Sequence, residues 1–225
     1  MIKIGLVYTS TTPELIELVE KEVHGQIGSG AQLMTYSDPS ILAEIREHGY
    51  VTCNAACRLI TMFLQAAQDG ADAVLNICSS VGETADSAQA VARYIGVPIV
   101  RIDEEMCRDA VRMGSRIGVL ATLPTTLEPT KNTLYRAARE MGHQITLVDG
   151  LVKAFGLDQE QFKKLLLEKA REISGQVDVL LLCQGSMAFC EQLIAGECHK
   201  KTMSSPRYGA AALKAALKDK GVEIC

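Results

Sequence analysis

The chain has 225 residues, of which 48% are hydrophobic and 22% are charged, and its formal net charge is −4. This length allows one large core or two compact lobes of about 100 residues each, and the composition is typical of a globular protein rather than a disordered or fibrous one. Because the charge is negative and aromatic residues make up only 4%, nucleic acid and anionic membranes are not expected as partners.

Short β-like runs alternate with longer helix-like stretches along the chain. The predicted strands are 2–8, 32–36, 73–77, 99–102, 116–121, 144–147 and 177–182. The predicted helices are 12–26, 40–69, 84–94, 104–113, 127–141, 159–174 and 208–220. This alternation predicts an α/β fold with mainly parallel sheets and helices on both faces.

The two halves of the chain carry an internal repeat. The stretch "KIGLVYTSTTPEL" near the N-terminus is similar to "RIGVLATLPTTLEP" in the second half, since both start basic-Ile-Gly and end in a Thr-rich turn with proline. Gly5 of the first copy precedes Cys78 by 73 residues, and Gly118 of the second precedes Cys183 by 65. A proline follows each cysteine, 20 and 23 residues further on.

Landmarks that recur in the same order predict two related lobes. We expect the first lobe to comprise residues 1–100 plus 207–225 and the second to comprise residues 101–206. Each lobe is expected to have three layers, and the two lobes are expected to be related by pseudo-symmetry. Ligands of open parallel sheets bind beyond the carboxyl ends of the strands, so the active site is expected in the cleft between the lobes.

A cysteine ends a predicted strand in each half, in "DAVLNICSSVGE" and in "DVLLLCQGSMAF". The small residues that follow Cys78 and Cys183 can direct backbone N–H groups at an anion such as a carboxylate. A single strand-end cysteine usually just packs in the core. Two cysteines at equivalent positions of the two repeated halves instead indicate a catalytic role.

Two opposed thiols suit the transfer of a proton from one face of a carbon atom to the other. One cysteine, as a thiolate, removes the proton, and the other, as a thiol, delivers a proton to the opposite face. Neighbouring N–H groups and hydroxyls would stabilise the enolate-like charge that develops. This chemistry requires neither a metal nor an organic cofactor, and we expect none.

With its repeated Ile-Gly starts and two strand-end cysteines, the whole chain resembles the aspartate/glutamate/hydantoin racemase superfamily. The resemblance implies a two-lobe α/β fold, cofactor-independent isomerase activity, and catalysis by Cys78 and Cys183. It further implies that small polar residues after the cysteines hold a substrate carboxylate, and that the turns after the first strand of each lobe line the cleft. The carboxylate-binding set is Ser79, Ser80, Gly185 and Ser186, and the cleft-lining set is Tyr8, Thr9, Ser10, Thr122, Pro124 and Thr125.

The chain departs from the family's amino-acid racemases beside both cysteines. Those enzymes typically follow the first cysteine with Asn-Thr and the second with Thr-Glu, whereas Ser-Ser follows Cys78 and Gln-Gly-Ser follows Cys183 here. The sequence therefore predicts a small carboxylate or hydantoin-like (cyclic-amide) substrate without singling out aspartate or glutamate.

Two other functions remain open at this stage. One is a decarboxylase or lyase of the same superfamily that uses a single thiol as proton donor, although the presence of both cysteines argues against it. The other is a non-catalytic protein that binds a small anion.

The remaining features of the sequence give general expectations. The N-terminus does not have the form of a signal peptide, and no stretch approaches the roughly 18 apolar residues of a membrane span. A cytoplasmic protein with eight reduced cysteines is therefore expected, and the expected assembly is a homodimer, the commonest oligomer, or a higher homo-oligomer. Arg101 and Arg207 could each approach a carboxylate, but exposure to solvent is the more usual state of an arginine.

Overall fold

The computed structural model describes residues 1–224. The chain forms two compact units: unit 1 comprises Met1–Ile102 and the residues from Pro206 onward, and unit 2 comprises Asp103–Ser205. Each unit is built on one four-stranded sheet in which all paired strands are parallel. The predicted fold class, two α/β lobes with parallel sheets, is confirmed.

Unit 1 has the strand order β2-β1-β3-β4. Its strands are β1 (Lys3–Tyr8), β2 (Gln32–Ser37), β3 (Ala73–Ile77) and β4 (Ile99–Arg101). Its helices are α1 (Pro13–Ile27), α2 (Pro39–His48), α3 (Cys53–Gln68), α4 (Gly82–Ser87) and α5 (Gln89–Ile95), with a 3₁₀ turn at Ser79–Val81 between β3 and α4.

Unit 2 has the equivalent order β6-β5-β7-β8. Its strands are β5 (Arg116–Ala121), β6 (Thr146–Leu151), β7 (Val179–Leu182) and β8 (Lys201–Ser204). Its helices are α6 (Glu104–Met113), α7 (Pro124–Met141), α8 (Gln159–Ser174) and α9 (Glu191–Cys198), and a second 3₁₀ turn lies at Gly185–Cys190. Helix α10 (Ser205–Asp219) then returns the chain to unit 1.

The first βα connection shows why helices start where they do. Thr12 caps α1 by accepting a hydrogen bond from the Leu15 amide at 3.2 Å, and Pro13 occupies the first helical position. Proline lacks an N–H group that would in any case be unpaired there. Helix α1 then buries Leu15, Val19 and Val23, four residues apart, against the sheet.

Both faces of the unit 1 sheet are covered. One face packs Ile4, Leu6 and Tyr8 of β1 against α1 and α10. The opposite face packs Val7 and Val74 against α3, α4 and α5. Successive strand residues point to opposite faces, so the first residue after β3, Cys78, belongs to the Val7 side and packs beside that second cluster.

The structure differs from the predicted elements in several places: for example, helix α9 is not predicted, and the single helix expected at 84–94 is two helices, α4 and α5. The single helix expected at 40–69 is two helices, because Gly49 ends α2 in the left-handed conformation at φ 81° and Thr52 caps α3. The sequence does not predict strand β8, because its four residues "KTMS" are too short and too polar to stand out as a strand. Among the residues from 1 to 224, no helix has the length and apolar character that crossing a membrane requires.

Candidate active site

Cys78 lies at the carboxyl end of β3, between that strand and the first 3₁₀ turn. The register that aligns Ile77 with Tyr8 places Cys78 level with Thr9, the residue after β1. Cys78 is partly exposed, whereas Thr9 is fully buried. The two neighbouring strands of the sheet therefore bring a thiol and a hydroxyl together at one edge.

The surroundings of Cys78 act on its pKa in two directions. Packing around the thiol raises the pKa because it disfavours the charged form, and the Thr9 hydroxyl and the backbone N–H groups of Ser80 and Val81 partly offset this rise. Among the described residues, the Thr9 hydroxyl has no oxygen or nitrogen partner. It is thus available to the Cys78 sulfur or to a bound ligand.

The other predicted residues of unit 1 lie close to Cys78 in the chain or at the same sheet edge. Ser79 and Ser80 are nearly fully buried in the 3₁₀ turn, and Ser10 is partly exposed after β1. Tyr8 differs from them, because its ring lies in the core cluster on the opposite face of the sheet. Burial raises the pKa of Tyr8, with a smaller contribution from Glu20.

Cys183 directly follows β7 in unit 2 and is fully buried. Its amide donates to the Leu120 carbonyl at 3.0 Å. The pKa of the Cys183 thiol is raised to about 12, mainly by burial; the Thr130 hydroxyl on α7 lowers it in part, and the Asp103 and Asp149 carboxylates contribute to the rise. Cys183 is therefore a neutral thiol in the resting protein at neutral pH.

A glutamine amide joins the two predicted turns of unit 2. The Gln184 Oε1 atom accepts hydrogen bonds from the Thr122 amide at 2.7 Å and from the Thr122 hydroxyl at 2.9 Å. These bonds fix the residue after Cys183 against the residue after β5. Gly185 and Ser186, which begin the second 3₁₀ turn, follow directly and are partly exposed.

The start of α7 supplies the remaining predicted residues. Pro124 is exposed at the first helical position. The Thr125 hydroxyl is buried and has no hydrogen-bond partner among the described residues. Within unit 2, Cys183, the Thr122–Gln184 contact and the start of α7 thus all follow the carboxyl ends of β5 and β7.

Sequence reasoning missed two groups that contact the cysteines, Thr130 and Asn76. Thr130 is one of several threonines in "PTTLEPTKNT", and nothing in that pattern distinguishes it. Asn76 lies two residues before Cys78, and its amide donates to the Cys78 carbonyl at 3.1 Å. The expectation that Arg101 is solvated is wrong: the residue is only 4% exposed.

All seven described cysteines are free thiols. Residues 1–224 contain no group of three or more His, Cys, Asp or Glu side chains arranged to hold a metal ion.

Comparison with known proteins identifies the class. A model of the Asp/Glu/hydantoin racemase family matches residues 4–213, so the chain belongs to this family. Racemases are isomerases, and the chain is accordingly an isomerase of the racemase type. No protein with a curated description matches its sequence.

Solved structures show the same fold at low sequence identity. Allantoin racemase from Klebsiella pneumoniae superposes with a TM-score of 0.69 at 17% identity, covering 100% of this chain and 91% of the other. Glutamate racemase isoform RacE1 from Bacillus anthracis gives 0.71 at 16% identity, covering 98% and 83%. Aspartate racemase from Picrophilus torridus gives 0.62 at 15% identity, covering 100% and 96%.

Proposed function

We propose that this protein is a cofactor-independent racemase or epimerase that uses Cys78 and Cys183 as an acid–base pair. The observation that carries the proposal is the matching position of the two thiols. Cys78 follows β3, which pairs with β1, and Cys183 follows β7, which pairs with β5 in the equivalent place. In one direction the first thiolate removes a proton from a carbon atom and the second thiol gives a proton to the opposite face. In the reverse direction the roles exchange, so atoms and charge balance.

The different surroundings of the cysteines support a division of roles in the resting protein. Cys78 is partly exposed and faces N–H and hydroxyl donors that stabilise a thiolate. Cys183 is fully buried near two carboxylates, and its pKa is raised to about 12. We therefore assign Cys78 as the thiol that ionises first and Cys183 as the initial proton donor.

We propose a small carboxylate or a hydantoin-like ring as the substrate. Ser79, Ser80, Gly185 and Ser186 would bind its oxygen atoms through hydroxyl and backbone N–H groups, which serve a carboxylate and a ring carbonyl equally well. Residues of the turns after β1 and β5 would make the remaining contacts with the substrate: Thr9, Ser10, Thr122, Pro124 and Thr125. Tyr8 would support the first of these turns from the core. The similar structures include racemases of an open-chain amino acid and of allantoin, which supports testing both classes.

Proton exchange in D2O tests this function directly. The protein is incubated with each enantiomer of aspartate, glutamate, allantoin and a set of 5-substituted hydantoins, and NMR and chiral chromatography follow deuterium entry and inversion. We expect one substrate to take up deuterium at its reacting carbon and to lose optical activity. Cys78→Ser and Cys183→Ser should each abolish inversion, because each removes one of the two proton carriers.

The same experiment separates the alternatives. Cys53→Ser, a change at an exposed thiol on α3, serves as the matched control and should leave inversion intact. Release of CO2 from 2-substituted malonates with dependence on one cysteine would indicate a lyase, and ligand binding without exchange would indicate a binding protein. Full inversion by both serine variants would exclude the two-thiol mechanism.

A further inference from the structure

The segment that follows Cys78 packs against a buried arginine. Arg101 is the last residue of β4, level with Asn76 of β3, and is only 4% exposed. A buried charge is costly unless it is paired and hydrogen-bonded. Its location therefore calls for a specific partner, and one lies in the segment that begins at Cys78.

That partner is Asp86 on α4, whose Oδ2 accepts from Arg101 Nη1 at 2.7 Å. The guanidinium also packs closely against Gly82. A Cβ atom built on Gly82 would lie 2.3 Å from Nη2, 2.5 Å from Cζ and 2.7 Å from Nε of Arg101. The guanidinium plane thus occupies the space that any other residue at position 82 would fill.

These contacts adjoin the groups that surround the Cys78 sulfur. Gly82 directly follows Val81, whose N–H group, together with that of Ser80, faces the thiol. At the other side, the Asn76 amide fixes the Cys78 carbonyl at 3.1 Å. The segment is therefore fixed at its start by a strand residue and at its end by the arginine.

We propose that Arg101 is a positioning residue: by packing on Gly82 and pairing with Asp86, it keeps the N–H groups of Ser80 and Val81 directed at Cys78. Arg101 acts through the backbone of this segment. The proposal rests on the proposed function in that Cys78 is the catalytic thiol of unit 1. A planar guanidinium can both cover Gly82 and donate to Asp86, whereas a lysine ammonium is a single point charge.

The test measures the pH dependence of Cys78 alkylation by iodoacetamide, with peptide mass spectrometry to read this thiol alone. In Arg101→Gln, we expect the midpoint of the Cys78 profile to rise by about one pH unit, which corresponds to a roughly tenfold slower reaction at pH values below the midpoint. Arg101→Lys should behave like Arg101→Gln. Gly82→Ala, which displaces the guanidinium but retains its charge, should shift the midpoint in the same direction.

The matched control is Arg58→Gln, which removes another unit 1 arginine with ion pairs to Asp38 and Glu44 and should leave the Cys78 midpoint unchanged. Circular dichroism and the continued protection of Cys183 establish that each variant is folded. A midpoint that is unchanged or falls in folded Arg101→Gln overturns the proposal. Full rescue by Arg101→Lys also overturns it, since charge alone would then suffice.

Alkylation needs no substrate, so the two proposals fail separately. If the wild-type protein exchanges no proton with any tested compound but the Cys78 midpoint rises in the Arg101 variants, the positioning role stands and the proposed reaction is wrong. If the wild-type protein is an active racemase and the midpoint does not rise, the positioning role is wrong and the reaction stands.

Discussion

Asp86 and Glu191 stand in the same relationship to the two candidate catalytic cysteines. Each lies eight residues after its cysteine, and each carboxylate contacts the edge strand on the far side of that cysteine's strand. Asp86 pairs with Arg101 at the end of β4, and Glu191 accepts a hydrogen bond from Ser204 at the end of β8.

The strand partners of these acids are also equivalent. Through β3, Arg101 is level with Val7, and through β7, Ser204 is level with Leu120. Val7 and Leu120 occupy the same place in the repeated "IGLV" and "IGVL" stretches. The internal repeat thus extends to a side-chain contact, although arginine in one unit is replaced by serine in the other.

This difference in partners accompanies a difference between the thiols. The buried Arg101 pairs with Asp86 in the segment after Cys78, whereas two carboxylates, Asp103 and Asp149, contribute to the raised pKa of Cys183. The proposed two-thiol reaction needs one ionised and one protonated group at any moment. In that proposal, the unequal surroundings would supply the distinction before substrate binds.

The two cysteines should react with electrophiles at different rates. In the folded protein at pH 7.5, we expect iodoacetamide to modify Cys78 faster than Cys183 by on the order of tenfold or more, because only the thiolate reacts and burial suppresses it. Cys183 is fully buried, with its pKa raised to about 12. Mass spectrometry of timed digests measures both rates, and exposed Cys53 reports reagent activity. Equal rates in the folded protein would contradict the assignment of roles.

The Thr9 hydroxyl should assist ionisation of Cys78. Thr9→Val keeps the shape of the side chain but removes the hydroxyl that lowers the pKa of Cys78, so the alkylation midpoint of this thiol should rise by a few tenths of a pH unit to about one unit. Thr61→Val, at an exposed threonine that donates to the Cys57 carbonyl, should not change it. A lower midpoint in Thr9→Val would show that the hydroxyl does not stabilise the thiolate.

The sequence predicted most of the fold because its signals are local. Strand–helix alternation, the cap at Thr12 and the proline after it are all properties of neighbouring residues, and they determine where α1 begins. The two cysteines could be singled out because each has a counterpart in the other half of the chain. Both the local patterns and the internal repeat can be recognised in the sequence without knowledge of the tertiary structure.

The missed features depend on contacts between distant residues. Arg101 and Asp86 are 15 residues apart, and only the β3–β4 pairing brings the guanidinium over Gly82. Thr130 reaches Cys183 because α7 packs on the sheet of unit 2. Neither contact follows a period or a motif, so no pattern in the sequence could indicate it.

The two repeated Ile-Gly pairs should tolerate a methyl group unequally. A Cβ atom on Gly5 would lie 2.8 Å from Ala66 Cβ on α3, whereas a Cβ on Gly118 would meet the flexible Leu180 Cδ2 at 2.7 Å. We expect Gly5→Ala to lower the free energy of unfolding by about 1–3 kcal/mol and Gly118→Ala to lower it less. Urea unfolding measures both. Gly30→Ala, where nothing lies within 4 Å, is the control, and equal costs at all three positions would contradict the packing argument.

Cys183 should make the protein less stable at alkaline pH. Its pKa is raised from 9.0 to about 12 in the folded protein, so between these values the unfolded chain releases the thiol proton while the folded chain retains it. Stability must then fall as pH rises above the unfolded value, by up to about 1.4 kcal/mol per pH unit for this one group. Below pH 8 both the folded and the unfolded chain hold the proton, so Cys183 does not change the free energy of unfolding with pH there.

Cys183→Ser removes this titration, because serine does not ionise in the same range. Urea unfolding at pH 8, 9 and 10 in the presence of a reductant should therefore show that the free energy of unfolding of the wild type falls relative to that of Cys183→Ser by about 1 kcal/mol between pH 9 and 10. Cys53→Ser, at an exposed thiol, should follow the wild type. If wild type and Cys183→Ser run parallel over this range, Cys183 ionises as readily in the folded protein as in the unfolded chain, and its role as the protonated partner of Cys78 loses its physical basis.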